Sequence, residues 1–163
     1  MPASDEVDRI VTAWSRERSD LDFSPLQVLS RVARLARHLE RARRTAFAAS
    51  DLELWEFDVL AALRRAGSPY QLSPKALLQQ TLVSSGTMTN RIDGLVARGL
   101  VERRTDPNDG RGILVMMTAD GRERVDAAIA TLLHAESELL DKLSAAEQER
   151  LSGLLRKLSL DFD

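Results

Sequence analysis

A mainly α chain with one small β-wing is the fold class the sequence predicts, on three observations. Apolar residues recur at helical spacing along most of its 163 residues. Serine, threonine and aspartate stand where helix caps belong, and a proline twice follows the cap. One segment breaks the pattern: two runs rich in β-branched and apolar residues, Leu100 to Arg104 and Gly112 to Thr118, flank the turn formers Asp106-Pro107-Asn108-Asp109-Gly110.

The first predicted helix runs from Ser4 to Arg18. Ser4 is placed to cap it, Asp5 and Glu6 suit the positive end of its dipole, and Val7, Ile10, Val11 and Trp14 form one stripe. Ser24-Pro25 starts the second, with Leu26, Leu29, Val32, Ala36 and Leu39 as its apolar face. Ser50 with Glu53 makes a capping-box pattern ahead of LELWEFDVLAALRRAG, and Gly67 is a suitable stop. Ser73-Pro74 begins a short helix that reaches about Gln80. The next begins near Ser84 or Ser85, buries Met88, Ile92, Leu95 and Val96, and ends at Gly99. After the hairpin, Thr118 caps a long helix in which Val125, Ile129, Leu132, Leu139 and Leu143 recur at roughly heptad spacing. Ser144 with Glu147 forms a further capping box, and Leu151, Leu154, Leu155 and Leu158 line the last helix.

Hydrophobic residues make up 44% of the chain and charged residues 29%, enough apolar surface for a core beneath a solvated exterior. The length suits one domain, 1–163, with a lobe at about 50–118 and helical arms at about 1–49 and 119–163. With no cysteine, disulfides, thiol nucleophiles and thiolate metal sites are excluded. No leader pattern and no apolar run approaching about 18 residues occurs, so a cytoplasmic location is expected. The net charge of −2 does not favour a nucleic-acid partner, but phosphate contact is decided locally. Arg31 to Arg44 carries six arginines against one glutamate. Arg31, Arg34, His38 and Arg41 fall near one face there, either a solvated face or an anion-binding one.

Leu77 to Thr118 reads as helix, turn, second helix and hairpin. That order is a winged helix-turn-helix, a device for reading duplex DNA. Ser84, Ser85, Thr87, Thr89 and Asn90 stand in the first turns of the second helix, where hydroxyls and amides meet base edges or phosphates. One of the two serines is expected to act as the cap. Arg111 at the hairpin tip is placed to enter a minor groove, with Asp109 holding its side chain by a charge-assisted hydrogen bond. The plain account of the same residues is an ordinary exposed turn. Arg103 and Arg104 alternate faces, so at most one of them faces DNA. The apolar stripes of the first helix and the last two need a cover. A second copy would present two recognition helices to two half-sites, and the alternative is that they fold back on their own chain.

Asp109-Gly110-Arg111, followed by Ile113, Val115, Met117 and Thr118, resembles the tip and second strand of the MarR family of winged-helix regulators. There Asp-x-Arg commonly precedes a β-branched strand ending in Leu-Thr, and methionine stands here in the leucine place. SSGTMTNRIDGLVARGLVERR is similar to the family's recognition helix and first wing strand, and the resemblance extends over nearly the whole chain. The extra N-terminal helix with its tryptophan, EFDVLAALRRAG and MTNRIDGL resemble the urate-responsive branch. What the resemblance implies is a dimeric repressor that leaves a pseudo-palindromic operator when a small anionic metabolite binds. Its ligand-binding residues, carried over by position, are Trp14, Asp58 and Arg91. A histidine contributes in some members, and neither His38 nor His134 aligns with it. Other relatives respond to tricarboxylates of the aconitate and citrate type. No cofactor, metal or membrane is implied.

Residue by residue, alternatives stay open. Asp58 has Leu54, Trp55, Ala61 and Ala62 three and four positions away, an expensive setting for an unpaired carboxylate. Arg91 is framed by Met88, Gly94 and Leu95, with only Thr87 polar. A buried Asp58–Arg91 pair joining two helices is the plain account. In the functional account an anionic ligand competes for Arg91 and shifts the recognition helix. Trp14 is a core anchor or a pocket edge, Trp55 a core residue, and His134 a surface or interface histidine. A constitutive activator or architectural protein is the alternative to a ligand-responsive repressor. No phosphate loop, nucleophile elbow, metal-spaced set or cysteine supports an enzyme. A helix-mediated protein-binding module would leave the wing without a purpose.

Overall fold

The structure, a computed structural model, describes residues 4–81 and 83–162. Leu82, in the predicted turn, lies outside the described residues. The elements run α1 (Glu6–Glu17), α2 (Ser24–Ala48), α3 (Leu54–Arg65), β1 (Gln71–Leu72), α4 (Pro74–Thr81), α5 (Ser85–Ala97), β2 (Val101–Asp106), β3 (Asp109–Met117), α6 (Ala119–Leu140) and α7 (Ala145–Ser159), then a 3-10 turn (Leu160–Phe162). The chain is mainly α with a small antiparallel sheet, as its periodicities predict. Among the described residues no helix is long and apolar enough to cross a membrane. Two compact units divide at Ala42/Arg43.

In the N-terminal unit the cap of α1 is Asp5, not Ser4. Asp5 accepts from the Asp8 N–H and Asp8 from the Asp5 N–H, each at 3.0 Å, a reciprocal box that satisfies two donors free at any helix start. The arginines of α2 do not form an open basic stripe. Arg31 pairs with Asp5 and Asp8, both at 2.8 Å, and Arg34 with Glu6 at 2.6 Å. The Arg31 hydrogen bond is the main reason the Asp5 carboxyl lies below the ordinary carboxylate range. Trp14 is half exposed and stacks on Phe23 with ring centres 5.8 Å apart. The expected apolar face of α2 is largely open, with Leu29 at 57% and Val32 at 41% exposure.

In the second unit α3 is the central helix, with Phe57, Val59, Leu60, Ala61, Ala62 and Leu63 all buried. Around it gather Phe47 of α2, Leu77 of α4, Met88, Ile92 and Leu95 of α5, Val115 and Met117 of β3, and Val125, Ala128 and Leu132 of α6. Each large apolar side chain so buried contributes about 1.5–3 kcal/mol. The heptad-like run of α6 therefore serves two surroundings. Val125 and Leu132 enter the core, whereas Ile129 and Leu139 are each 37% exposed. No residue of α7 is buried, and its leucine stripe lies open.

Local signals place most boundaries. Ser73 accepts from the Ala76 N–H, Ser84 from Thr87, Thr118 from Gly121 and Ser144 from Glu147. Gly99 ends α5 at φ +69°, a conformation that favours glycine. Its N–H donates to Val96 O, and the Leu100 N–H to Leu95 O, the paired bonds of a Schellman stop. Three details differ from expectation. The Ser50–Glu53 box is not used: α3 starts at Leu54 after Glu53, whose N–H donates to the Glu56 carboxylate at 2.8 Å. Val96 is 36% exposed because it lies at the edge of the α5 face that carries Met88, Ile92 and Leu95. The hairpin turn is shorter, since Asp106 already pairs with Asp109 across Pro107-Asn108. A third strand, β1, adds to the sheet in the order β1-β3-β2, with Gln71 opposite Met116 and Leu72 opposite Val115.

Candidate nucleic-acid interface and the pocket beside it

Helix α5 begins with a polar turn. Ser84 accepts from the Thr87 N–H at 3.2 Å and donates its hydroxyl to Thr87 Oγ1 at 2.9 Å, so Ser84 is the serine spent on capping. Thr89 donates to the Ser85 carbonyl at 3.1 Å. Ser84, Ser85, Thr87, Thr89 and Asn90 are all exposed. The backbone amides of this first turn sit at the positive end of the helix, where an anion is favoured.

The wing follows from the register. Arg103 faces Val115 and Arg104 faces Leu114 across the ladder. Both arginines are exposed, and each is engaged by a carboxylate: Arg103 by Asp93 of α5, and Arg104 by Glu102 through Nε at 2.8 Å. The Arg103–Asp93 contact ties the wing strand to the recognition helix. At the tip, Asp109 accepts from the Arg111 backbone N–H at 3.2 Å. The expected side-chain pair between them is not formed: Asp109 meets the Arg111 backbone, and Arg111 is exposed.

Beside α5 lies a depression of about 440 Å³. It is lined by Arg44 and Ala48 from the end of α2, Leu52 and Glu53 just before α3, Leu54, Trp55 and Asp58 from its first turns, and Arg91 from α5. Asp58 and Arg91 therefore share a site, but not as the expected buried ion pair. The Asp58 side chain is 49% exposed and meets Arg43 at 3.9 Å. The Arg91 guanidinium instead lies 5.9 Å from the centre of the Trp55 ring, a cation–π contact. Helical spacing alone did not show that α3 turns Asp58 outward while its neighbour Glu56 is covered. Trp55 is a pocket wall as well as a core contact. Gly94 makes room for it, since a methyl group there would stand 3.2 Å from the indole. Trp14 belongs to the N-terminal unit, where it lines a shallow depression with Ile10, Ala13 and Glu17. His38 and His134 are exposed, with His134 3.5 Å from Glu138.

The charged group that sequence reasoning missed is Glu56. It is 2% exposed and takes a hydrogen bond from Arg98 at 2.5 Å. That bond is the main cause raising the Arg98 pKa above its already high ordinary value. Glu56 could have been noticed from its setting, with Leu52, Val59 and Leu60 at helical spacing around it.

The architecture has known counterparts. A family model described as the MarR family matches residues 50–112. The chain is 31% identical over 153 residues to the HTH-type transcriptional regulator PecS of Dickeya dadantii (strain 3937), covering 94% of this chain and 92% of that protein. It is similar in structure to a mutant MarR from E. coli complexed with operator DNA, with TM-score 0.68, 28% identity, and 95% and 99% of the two chains covered. It is also similar to BpsR of Bordetella bronchiseptica, whose DNA binding is regulated by 6-hydroxynicotinic acid, with TM-score 0.61, 29% identity and coverage of 79% and 93%. This chain has a winged helix-turn-helix and relatives that are transcriptional regulators, and it belongs to the MarR family.

Proposed function

We propose that the protein is a dimeric repressor, acting in the cytoplasm, that a small anionic metabolite releases from its operator. One observation carries the reading: Arg91, on the recognition helix, is also a wall of the 440 Å³ pocket. A ligand there acts on the element that reads DNA. Arg91 and Arg44 supply positive charge, Trp55 a flat apolar wall, and Asp58 with Glu53 acceptors for ring or hydroxyl protons. Trp14 stays in the proposed ligand set on the family resemblance alone. The pocket chemistry suits a compact anion such as a urate-like purine, a tricarboxylate, or an aromatic acid like the one that regulates BpsR. Release is a population shift, in which a ligand that prefers the DNA-incompetent state lowers DNA affinity by the same coupling free energy.

DNA contact falls to Ser85, Thr87, Thr89 and Asn90 on the recognition helix, with Ser84 as its cap. Arg111, shaped by Asp109, serves the minor groove, and one of Arg103 and Arg104, which alternate faces of the strand, serves an adjoining phosphate. The second copy would cover the helical arms at about 1–49 and 119–163. Leu154 and Leu158 of α7 are 54% and 53% exposed, and Phe162 is 89% exposed. The test is a thermal-shift screen of urate, citrate, aconitate and 6-hydroxynicotinate on wild type and Arg91→Ala, followed by DNA release with any hit. A shift in wild type alone supports the reading. A complete absence of shift returns the protein to a constitutive DNA binder.

A further inference from the structure

We propose that Arg98 is a positioning residue for DNA reading, one that seats the C-terminal end of α5 on the same Asp51–Glu56 segment that walls the pocket. The proposal rests on the DNA-reading role argued above. Arg98 caps α5, its backbone N–H bonded to the Gly94 carbonyl at 3.1 Å. Its guanidinium then reaches three acceptors across the fold: Glu56 Oε2 at 2.5 Å, the Asp51 carbonyl at 2.8 Å and Asp51 Oδ2 at 2.6 Å. Asp51 in turn holds Arg124 of α6 at 2.6 Å, and Arg124 holds Asp120 at 3.2 Å.

Two features of this cluster cost stability. Glu56 carries its charge where only 2% of it meets solvent, and Asp51 sits at φ +53°, a backbone conformation that side chains disfavour. Apolar residues in place of Glu56 and Arg98 would hold two helices together without burying a charge. What the charged cluster adds is direction, because a guanidinium fork with three acceptors permits one seating of the helix end. Direction matters for α5. Its 13 residues make a rod about 20 Å long, so a tilt of about 5° at Arg98 moves the far turn by nearly 2 Å. A hydrogen bond from Ser85, in that far turn, to a base edge does not survive such a displacement. The acceptors of Arg98 also bracket the pocket lining. Leu52, Glu53, Leu54 and Trp55 lie between Asp51 and Glu56, and the Glu53 N–H bonds the same Glu56 carboxylate. Any ligand that shifts this wall shifts what Arg98 holds.

The experiment uses the full chain and two probes, the duplex that wild type enriches from randomised DNA and a scrambled duplex of equal composition. Affinities are read by fluorescence anisotropy at fixed salt, with Tm measured in parallel. Arg98→Gln leaves the buried Glu56 carboxylate without its charged partner, Glu56→Gln leaves the Arg98 guanidinium to Asp51 alone, and both are expected to lower Tm. The double variant removes the charge from both sides and is expected to recover most of that Tm. Its ratio of selected to scrambled affinity is still expected to fall roughly tenfold, within the range that coupling mutations reach. Arg98→Lys keeps a charge beside Glu56 but cannot span both acceptors. It is expected to keep Tm and lose several-fold in the ratio. A purely structural pair would move Tm and leave the ratio alone. A wild-type ratio in the double variant or in Arg98→Lys overturns the role of Arg98. A wild type that enriches no duplex overturns the DNA-reading role and this proposal with it.

Discussion

Replacing Gly121 by alanine tests how closely the start of α6 is docked on the junction between α5 and the wing. A methyl group at this position would stand 2.2 Å from the Leu100 carbonyl oxygen, 3.2 Å from its carbon and 3.1 Å from Met117 Cγ. The oxygen has little freedom to retreat, because it accepts both the Thr118 N–H and the Thr118 hydroxyl at 3.1 Å. Overpacking of this kind costs about 1–3 kcal/mol, and a backbone obstacle calls for the upper end. Alanine returns about 1 kcal/mol through helix propensity and a less free unfolded chain. The net loss is about 2 kcal/mol, or roughly 4–8 °C in Tm for a chain of this size. Gly153→Ala is the matched control. Gly153 lies in α7, facing away from the leucine stripe, and its methyl group would meet nothing within 4 Å. That variant is expected to gain up to about 1 kcal/mol. Calorimetric melting of both decides the matter, and Gly121→Ala melting at or above wild type would refute the docking geometry.

Arg111→Ala is expected to weaken binding to the selected duplex and to reduce the salt slope by about one, with Tm unchanged; unaltered affinity at matched salt would remove the wing tip from the interface. The Asp51 carboxyl lies below the ordinary range, first through the Arg124 hydrogen bond and then through the charge of Arg98. Its folded pKa is thus lower than its unfolded one, so the stability it contributes is complete above about pH 4 and lost as pH falls through the folded value. Asp51→Asn should therefore melt below wild type at neutral pH, with the gap closing on acidification, and an equal gap at pH 3 and 7 would contradict this. Leu154→Glu combined with Leu158→Glu places charge on the open α7 stripe and is expected to shift sedimentation from dimer to monomer; a dimer that persists would move the interface elsewhere.

Much of the fold was legible because it is decided by near neighbours. The caps at Ser73, Ser84, Thr118 and Ser144 and the stop at Gly99 depend on groups within five residues of one another. The polar start of the recognition helix and the arginine at the wing tip were legible for the same reason. Less was legible where two elements meet. Strand β1 has only two residues and exists through its pairing with β3. Asp58 and Glu56 lie two positions apart on α3, and nothing local tells which is covered. The sequence favoured Asp58 as the buried carboxylate, whereas the path of the chain covers Glu56 and leaves Asp58 beside Arg43.

By itself, then, the sequence determined the helices, the hairpin and the polar recognition turn, since periodicity, caps and turn residues act over one or two turns of chain. Only the tertiary structure decided the partners of the charges: Arg103 with Asp93, Arg98 with Glu56 and Asp51, Arg91 over Trp55. An ion pair forms between whichever opposite charges packing brings within a few ångströms, and packing is settled by the apolar faces of several elements at once. The pocket follows the same rule. Its walls come from α2, α3 and α5, and no single segment carries enough of it to be read alone.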